Sequence, residues 1–215
     1  MMHCPVCRSQ TERFDDAQMR CTTYRCPQCR LIFKDAACYP DEATELKKYR
    51  QHDNSLQNEG YVQMFETFID WTLSSLERPP RSVLDYGSGP EPVLAELLRR
   101  RGFSVQIYDK YFAPTPPTAG ETFDLITCTE VIEHTADPLA FLRTLLAHLN
   151  AGGYVSLMTL FHADDLDTYL SWWYRRDPTH LCFFTPTTFE TLAAQCGAAV
   201  NAHDGKRRIL LRKTS

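Results

Sequence analysis

The sequence lacks any uninterrupted apolar run of about 18 residues, the length that a membrane-spanning helix needs. It also lacks an excess of one charge, because 23 Lys and Arg residues face 27 Asp and Glu residues, for a net charge of −4. This balance offers no basic surface to nucleic acid or to an anionic membrane. The first residues, MMHCPVCRSQ, lack the apolar core of a signal peptide. We therefore expect a cytoplasmic protein with no membrane partner, and a nucleic-acid partner is disfavoured although not excluded.

The chain does contain enough apolar residues for a substantial core, since 43% of its 215 residues are hydrophobic. This length suits one ordinary domain and a small appendage. Five of the nine cysteines lie within the first 29 residues. In a chain without an export signal, such a cluster favours metal ligation over disulfides.

The N-terminal cysteines form two CxxC pairs, Cys4 with Cys7 and Cys26 with Cys29, which are separated by 18 residues. Each pair places two thiolates on one tight turn, and two such turns complete a tetrahedral site for structural Zn²⁺. We predict a zinc ribbon over residues 1–36, with short strands at residues 19–25 and 31–34. Cys21 is then a spare thiol that could replace one ligand, and a redox role for a CxxC pair is the alternative. The ribbon could stabilise the protein, dimerise it or hold a partner.

Residues 37–80 are predicted to form a helical linker that also covers a cofactor. The charged residues 41–49 favour a helix, and residues 61–76 place their apolar side chains on one face of another. Tyr61, at the start of that second helix, either closes over a cofactor or is an ordinary core aromatic.

The stretch SVLDYGSG, residues 82–89, predicts a buried strand that ends at Asp85, followed by a turn containing Gly87 and Gly89. A helix at residues 93–101 follows. Such a turn directs the first N–H groups of the helix to the sheet edge where open α/β sheets bind nucleotides. The alternative is a tight strand-to-helix turn that binds nothing.

From residue 81 to residue 215 strands and helices alternate, which predicts an α/β fold with a doubly wound, mostly parallel sheet. The second strand, residues 104–108, ends at Asp109, and an acidic residue about 20 positions after the glycine turn can accept both hydroxyls of a ribose. A solvent-facing Asp is the alternative. A third strand is missing, since residues 113–121 form a proline-rich loop. Further strands are predicted at residues 123–128 and 154–160, helices at 139–149 and 189–196, and a closing hairpin at 198–203 and 206–212.

Several of these segments together carry a family resemblance. VLDYGSGP, Asp109, FDLITCTEVIEH followed by DP, and LNAGGYVSLMTL resemble a class I S-adenosylmethionine-dependent methyltransferase of Rossmann-like fold, over residues 61–212. Residues 4–29 resemble the zinc ribbon fused to some bacterial members. The resemblance implies that S-adenosylmethionine contacts Tyr61, Asp85, Gly87, Ser88, Gly89, Asp109, Lys110, Thr129 and Glu130. Glu91 stands where a third glycine is usual, and Pro92 argues against the GxGxxG turn of a nicotinamide-linked dehydrogenase.

The acceptor side is predicted from Glu130, Glu133 and His134, which would share one face of a helical turn. Together with the later His180 they are candidate catalytic residues and candidate ligands of Mg²⁺ or Mn²⁺. The Glu-x-x-Glu-His pattern resembles that of quinone-biosynthesis O-methyltransferases and small-RNA 3′-end ribose methyltransferases, which hold such a metal. The alternatives are a metal-free general base, His134 or His180, and carboxylates that merely stabilise a helix N-terminus.

An aromatic group after the last buried strand is predicted to wall off the acceptor; it comprises Trp172, Trp173, Tyr174, Phe183 and Phe184. Arg175, Arg176 and Lys110 would be available for an anion. The same aromatics could instead be core or the patch of a homodimer. The favoured function is O-methylation of a small or medium-sized acceptor. A nucleic-acid methyltransferase and a non-catalytic cofactor-binding protein that recruits a partner are the alternatives.

Overall fold

The computed structural model describes residues 2–50 and 55–214. Within these residues the chain forms ten strands and six α-helices. In chain order they are β1 (Glu12–Asp16), β2 (Cys21–Arg25), β3 (Ile32–Lys34), α1 (Glu42–Tyr49), α2 (Glu59–Ser74), β4 (Ser82–Tyr86), α3 (Val93–Arg100), β5 (Ser104–Tyr108), β6 (Phe123–Thr129), α4 (Pro138–Ala147), β7 (Leu149–Met158), α5 (Leu166–Ser171), β8 (Cys182–Phe183), α6 (Pro186–Cys196), β9 (Ala198–His203) and β10 (Arg208–Lys213). No helix in these ranges is both long and apolar enough to cross a membrane.

Six strands form the central sheet in the order β5-β4-β6-β7-β10-β9. The first four strands are parallel, and the hairpin of β9 and β10 is antiparallel. Parallel strands place their carboxyl ends at one edge, so the residues that follow β4, β5 and β6 meet there. The predicted doubly wound, mostly parallel α/β fold is confirmed.

Helices cover both faces of this sheet because each carries an apolar stripe. On one face, Phe68 of α2 and Leu98 of α3 pack against Val83 and Leu125. On the other face α4 and α6 pack against β4 and β6. Asp137 caps α4 by accepting a hydrogen bond from the Ala140 N–H at 2.9 Å, as its position before Pro138 predicts.

One local expectation agrees with the structure, and another differs from it in detail. In the described residues 109–122 the chain forms no third strand, in agreement with the proline-rich sequence, and Asp109 and Ala113 form an isolated bridge. Strand β7 begins at Leu149 and not at residue 154. Residues 150–153, which separate the predicted helix at 139–149 from the predicted strand at 154–160, therefore lie in β7, because Leu149 already pairs with Phe123 before a register shift.

The N-terminal strands form a second sheet in the order β1-β2-β3-β8. Its last member, β8, comes from the distant end of the chain, where Ile32 pairs with Phe183 and Phe33 with Cys182. The division at residues 36 and 80 stays a prediction. The pairing means that the N-terminal ribbon and the sheet domain are joined by shared backbone hydrogen bonds.

Cys21 is not a spare thiol. It forms a disulfide with Cys38, with the two Cα atoms 5.7 Å apart. This bond joins β2 to the 3-10 turn Ala36–Cys38, which precedes α1. Because the second cysteine lies outside the CxxC pairs, their spacing could not indicate this partner.

Candidate active site

A cavity of about 770 Å³ opens at the carboxyl edge of the central sheet. The residues that follow β4, β5 and β6 line it, together with residues of α1, α2 and the segment after α5. Of the predicted site residues, it brings together Tyr61, Asp85, Gly87, Ser88, Gly89, Asp109, Lys110, Thr129, Glu130, His134 and His180. The predicted cofactor side therefore shares one space with Glu130, His134 and His180 of the predicted acceptor side, whereas Glu133 is fully buried and does not line the cavity.

The glycine turn after β4 depends on both of its glycines. Gly87 has φ +85°, and a Cβ at this position would lie 2.3 Å from Cγ2 of Val131. Gly89 has φ +72°, with nothing within 4 Å of a Cβ position. Gly87 thus permits close packing on the loop after β6, whereas Gly89 leaves open space beside the backbone, as a ligand-binding turn requires.

Asp109 is tied directly to that turn. Its Oδ2 accepts a hydrogen bond from the Gly89 N–H at 2.9 Å, and its Oδ1 accepts from the N–H groups of Tyr111 and Phe112 at 2.8 and 3.0 Å. These bonds orient the carboxylate at the end of β5. Oδ1 already accepts two hydrogen bonds, whereas Oδ2 accepts one and retains a lone pair for a ligand hydroxyl.

Asp85 carries an unsatisfied oxygen beneath the turn. The residue is 2% exposed, and its Oδ1 accepts a hydrogen bond from Thr127 Oγ1 at 3.0 Å. Among the described residues, Asp85 Oδ2 and Ser88 Oγ have no hydrogen-bond partner. Burial, together with the charge of Asp109, raises the pKa of Asp85 to about 7. Such buried polar atoms fit a ligand that brings its own donors.

The ammonium group of Lys110 already has partners within the protein. Its Nζ donates a hydrogen bond to the Tyr111 hydroxyl at 2.8 Å and lies 3.4 Å from Glu42 and 3.6 Å from Glu45. It therefore joins the loop after β5 to α1. Its predicted contact with the cofactor stays a prediction.

Glu130 and Glu133 do not share a helical face. Glu130 has φ +52°, and the residues after it form only a 3-10 turn, Ile132–His134. The two carboxyl groups meet instead at the hydroxyl of Tyr174, which lies 2.8 Å from Glu130 Oε2 and 2.5 Å from Glu133 Oε1. Burial raises the pKa of both carboxyl groups, and for Glu133 the neighbouring Glu130 adds to the effect.

Glu133, His134 and His180 offer ligand atoms that all lie within 4.8 Å of one another. Nδ1 of His134 lies 2.9 Å from the Thr179 carbonyl oxygen, and Nδ1 of His180 lies 2.8 Å from that of Tyr174. When Nδ1 donates to a carbonyl, the basic nitrogen of each ring is Nε2, the usual arrangement for a metal-ligating histidine. Glu133 is fully buried, and its Oε2 has no hydrogen-bond partner among the described residues.

Comparison with known proteins agrees with this architecture. A family model described as a methyltransferase domain matches residues 62–203, about two thirds of the chain. The chain belongs to this methyltransferase family. The predicted family is thereby confirmed.

Curated relatives match shorter stretches of the methyltransferase. A ubiquinone biosynthesis O-methyltransferase of Xanthomonas campestris is 30% identical over 116 residues, covering 43% of this chain and 48% of that protein. One from Parvibaculum lavamentivorans is 55% identical over 42 residues, covering 20% and 17%. A tRNA U34 carboxymethyltransferase of Campylobacter hominis is 42% identical over 55 residues, covering 26% and 19%. The chain thus spans half or less of the length of these relatives.

Solved structures resemble the methyltransferase in fold. The magnesium protoporphyrin IX methyltransferase of Synechocystis, solved with bound SAH, has a TM-score of 0.56 and 15% identity, covering 80% of this chain and 95% of that one. The plantazolicin methyltransferase BpumL, also solved with SAH, has a TM-score of 0.53 and 13% identity, covering 82% and 91%. At such identities the likeness concerns the fold alone.

Helix α1 supplies site residues that the sequence did not single out. Glu45, Lys48 and Tyr49 line the cavity of the methyltransferase, although α1 has no buried residue. Glu45 accepts hydrogen bonds from the hydroxyls of Tyr49 and Tyr111 at 2.8 and 2.6 Å. The charged, helix-forming pattern predicted the helix, but its position over the cavity depends on these tertiary contacts.

The predicted aromatic wall is divided between site and core. Trp173 is 65% exposed and lines the cavity with Tyr174, whereas Phe183 and Phe184 are buried in the core. Arg175 is not available for an anion, because it is 2% exposed and its guanidinium pairs with Asp16 at 2.5 Å. The 3-10 turn Tyr174–Arg176, which precedes β8, therefore contributes both to the cavity wall and to a buried ion pair.

The two CxxC turns have matching backbones. Arg8 and Arg30 each follow a pair with φ near +65°, and their N–H groups each donate to the first cysteine's carbonyl at 3.0 Å. The Sγ atoms of Cys4, Cys7, Cys26 and Cys29 all lie within 4.8 Å of one another, with Cys4 3.5 Å from Cys29 and Cys7 3.3 Å from Cys26. Tetrahedral Zn–S bonds of about 2.3 Å separate sulfur atoms by about 3.8 Å, so the four thiols fit zinc.

Proposed function

We propose that the protein is an S-adenosylmethionine-dependent methyltransferase that methylates an oxygen of a small or medium-sized acceptor with the help of a divalent cation. The observation that carries the proposal is the single cavity of about 770 Å³, which connects the glycine turn and Asp109 to His134 and His180. Family membership supports methyl transfer. The O-methyltransferase names of the curated relatives support oxygen as the acceptor atom.

The cofactor side fits S-adenosylmethionine because several of its polar groups can still accept or donate hydrogen bonds. Asp109 Oδ2 would accept a ribose hydroxyl, and the open backbone at Gly89 would adjoin the nucleotide. The buried Asp85 Oδ2 would accept from the ammonium group of the methionine moiety, and Ser88 Oγ would donate to its carboxylate. When bound, the cofactor supplies an electrophilic methyl group at its sulfonium centre.

The acceptor side fits a divalent cation on Glu133, His134 and His180. One carboxylate and two imidazoles suit Mn²⁺ and, with acceptor oxygens or water, Mg²⁺. A bound cation there would lower the pKa of an acceptor hydroxyl. Burial, and then His134, lowers the pKa of His180 to about 3, so that ring remains in the neutral form that can ligate a metal. Tyr174 would hold the Glu133 carboxyl in position through its hydroxyl.

The N-terminal cysteines are proposed to hold structural zinc. The hydrogen bond with Cys29 lowers the pKa of Cys4 to about 5, whereas burial raises that of Cys26 to about 11 and contributes to the rise for Cys29. Such a buried group of thiols is stable only when shared protons or a cation offset their charge. The cytoplasmic location and the homodimer stay predictions.

The decisive experiment measures methyl transfer from labelled S-adenosylmethionine to acceptors in a cell extract and to purified small hydroxylated compounds, with Mn²⁺ or Mg²⁺ added. We expect activity that requires the cation. Glu133→Ala and His134→Ala should each reduce the rate of methyl transfer at least about 100-fold, because each removes a proposed ligand of the cation. Both variants should bind the demethylated cofactor within about twofold of the wild-type affinity, because neither residue belongs to the proposed cofactor contacts.

His148→Ala is the matched control, since His148 lies at the end of α4 and bonds the Glu121 carbonyl, outside the cavity. It should retain transfer. Tight binding of the demethylated cofactor with no labelled acceptor would favour the non-catalytic alternative. Transfer that survives chelation of the divalent cation would instead leave His134 as a metal-free base.

A further inference from the structure

Lys34, at the end of β3 in the N-terminal ribbon, contacts both ends of the segment 177–181. The residue is 3% exposed, and its Nζ donates a hydrogen bond to the Asp177 carbonyl at 2.9 Å. Its backbone N–H donates to the Leu181 carbonyl, also at 2.9 Å. Burial lowers its pKa to about 8, and the charges of Asp177 and Asp16 act in the opposite direction. A buried ammonium group with such a specific acceptor constrains the backbone it contacts.

The segment 177–181 in turn contacts or contains each of the three candidate cation ligands Glu133, His134 and His180, called the triad below. His180 belongs to it, and the Thr179 carbonyl accepts from Nδ1 of His134 at 2.9 Å. The Leu181 N–H donates to the Glu133 carbonyl at 2.7 Å. Asp177 stiffens the turn, because its Oδ1 accepts from the N–H and the hydroxyl of Thr179 at 3.0 and 2.6 Å. A displacement of this segment would therefore move His180 itself, the carbonyl that the His134 ring contacts and the backbone partner of Glu133 together.

We propose that Lys34 is a positioning residue for the acceptor side, so that the N-terminal ribbon is a structural part of the active site. The inference rests on the proposed function in one respect, namely that the triad holds a divalent cation. The β3–β8 pairing aligns the ribbon with the strand that follows the segment, and Lys34 fixes the segment itself. The ribbon thereby acts on His134 and His180 through backbone groups without touching the acceptor.

The test uses Lys34→Met in the full-length, zinc-loaded protein, because Met retains the apolar stem and removes the donor. Three quantities are measured: calorimetric affinity for Mn²⁺, affinity for the demethylated cofactor, and amide hydrogen exchange of peptides covering residues 177–183. We expect Mn²⁺ affinity to fall about tenfold, the lower end of what removal of an outer partner costs. Exchange at residues 177–183 should accelerate, and cofactor affinity should stay within about twofold of wild type.

Thr188→Val is the matched control. Thr188 of α6 also bonds the ribbon, through the Cys29 carbonyl at 2.8 Å, and its hydroxyl otherwise contacts Thr185, which lies outside the segment. It should leave both Mn²⁺ affinity and exchange at residues 177–183 unchanged. Equal effects of the two variants, or no effect of Lys34→Met on exchange, would overturn the proposal.

The exchange measurement separates this proposal from the proposed function. If the wild-type protein bound no Mn²⁺, metal assistance would fail, while faster exchange at residues 177–183 in Lys34→Met would still support the positioning role. Should Lys34→Met not fold, Lys34→Gln, which retains an amide donor of shorter reach, is expected to show the same acceleration.

Discussion

The buried carboxyl group of Asp85 makes the stability of the protein depend on pH in a direction that can be worked out. Burial raises its pKa from an ordinary 3.8 to about 7 in the folded protein. Between these values the folded chain binds a proton that the unfolded chain has lost, so stability falls as pH rises. A difference of about three pH units corresponds to about 4 kcal/mol, which is fully lost above about pH 7.

Asp85→Asn removes this titration while retaining the acceptor for the Thr127 hydroxyl. We compare the free energies of unfolding of the variant and the wild type in urea, without added cofactor, at about pH 4.5 and about pH 8.5. The difference should shift in favour of the variant by about 3 kcal/mol from the lower to the higher pH. The shift is smaller than about 4 kcal/mol because part of the effect is already present at about pH 4.5. The other titrating groups cancel in this comparison. The variant should also bind the demethylated cofactor about tenfold more weakly, since a charge-assisted hydrogen bond contributes about 1.5–3 kcal/mol.

Asp165→Asn is the control at an exposed carboxyl group. Hydrogen bonds from Thr168 lower the pKa of this helix cap, so its contribution to stability is lost only as the pH falls below about 4. The substitution should therefore change the free energy of unfolding by the same amount at about pH 4.5 and about pH 8.5. An Asp85→Asn effect on stability that is the same at both pH values would refute the assignment of a raised pKa. Unchanged cofactor affinity would refute its role beneath the glycine turn.

Three further predictions follow from the contacts of named residues. Gly87→Ala should abolish cofactor binding because its Cβ would meet Val131. Gly102→Ala is the control: with φ +89° and open space around the Cβ position, it should lower the free energy of unfolding in urea by only about 1 kcal/mol and should bind the cofactor normally. Equal losses of cofactor affinity in the two variants would contradict this prediction. Arg175→Met should destabilise the protein by about 3–5 kcal/mol because it leaves Asp16 buried and unpaired. Arg13→Met, which breaks the exposed pair with Asp15, should cost less than about 1 kcal/mol. Urea unfolding midpoints measure both effects. Mass spectrometry of the native protein should find one zinc ion per chain, lost in Cys26→Ser and retained in Cys196→Ser, whose thiol lies outside the cluster; an equal zinc content in both variants would exclude the cysteine site.

The residues of the predicted cofactor side lie together as expected because the determinants of their placement are local. A glycine turn needs positive φ at Gly87 and Gly89, and both positions have it. The carboxylate expected at residue 109 reaches the turn because β4 and β5 are parallel neighbours with aligned ends, Tyr86 opposite Tyr108. Spacing along the chain and the register of two adjacent strands thus determine this half of the site.

The acceptor side was predicted in composition but not in geometry. Residues Glu130, Glu133 and His134 are close in sequence, and helical periodicity placed them together on one face. The positive φ of Glu130 breaks that periodicity, and its carboxyl group reaches Glu133 through Tyr174, 44 residues further along the chain. No local pattern encodes that contact, because a lone Tyr in an aromatic run is equally compatible with core packing.

The contribution of the ribbon was the least accessible to sequence analysis, and the reason is physical. Strand β8 has only two residues, too few to show alternation, and it pairs with β3 across about 150 residues of sequence. Lys34 would ordinarily be assigned to the surface, since lysines are rarely buried without a partner. Its partner is a backbone carbonyl, which no side-chain pattern reveals. A site whose acceptor half is held by long-range backbone contacts should therefore be sensitive to substitutions in the N-terminal ribbon that leave cofactor binding intact.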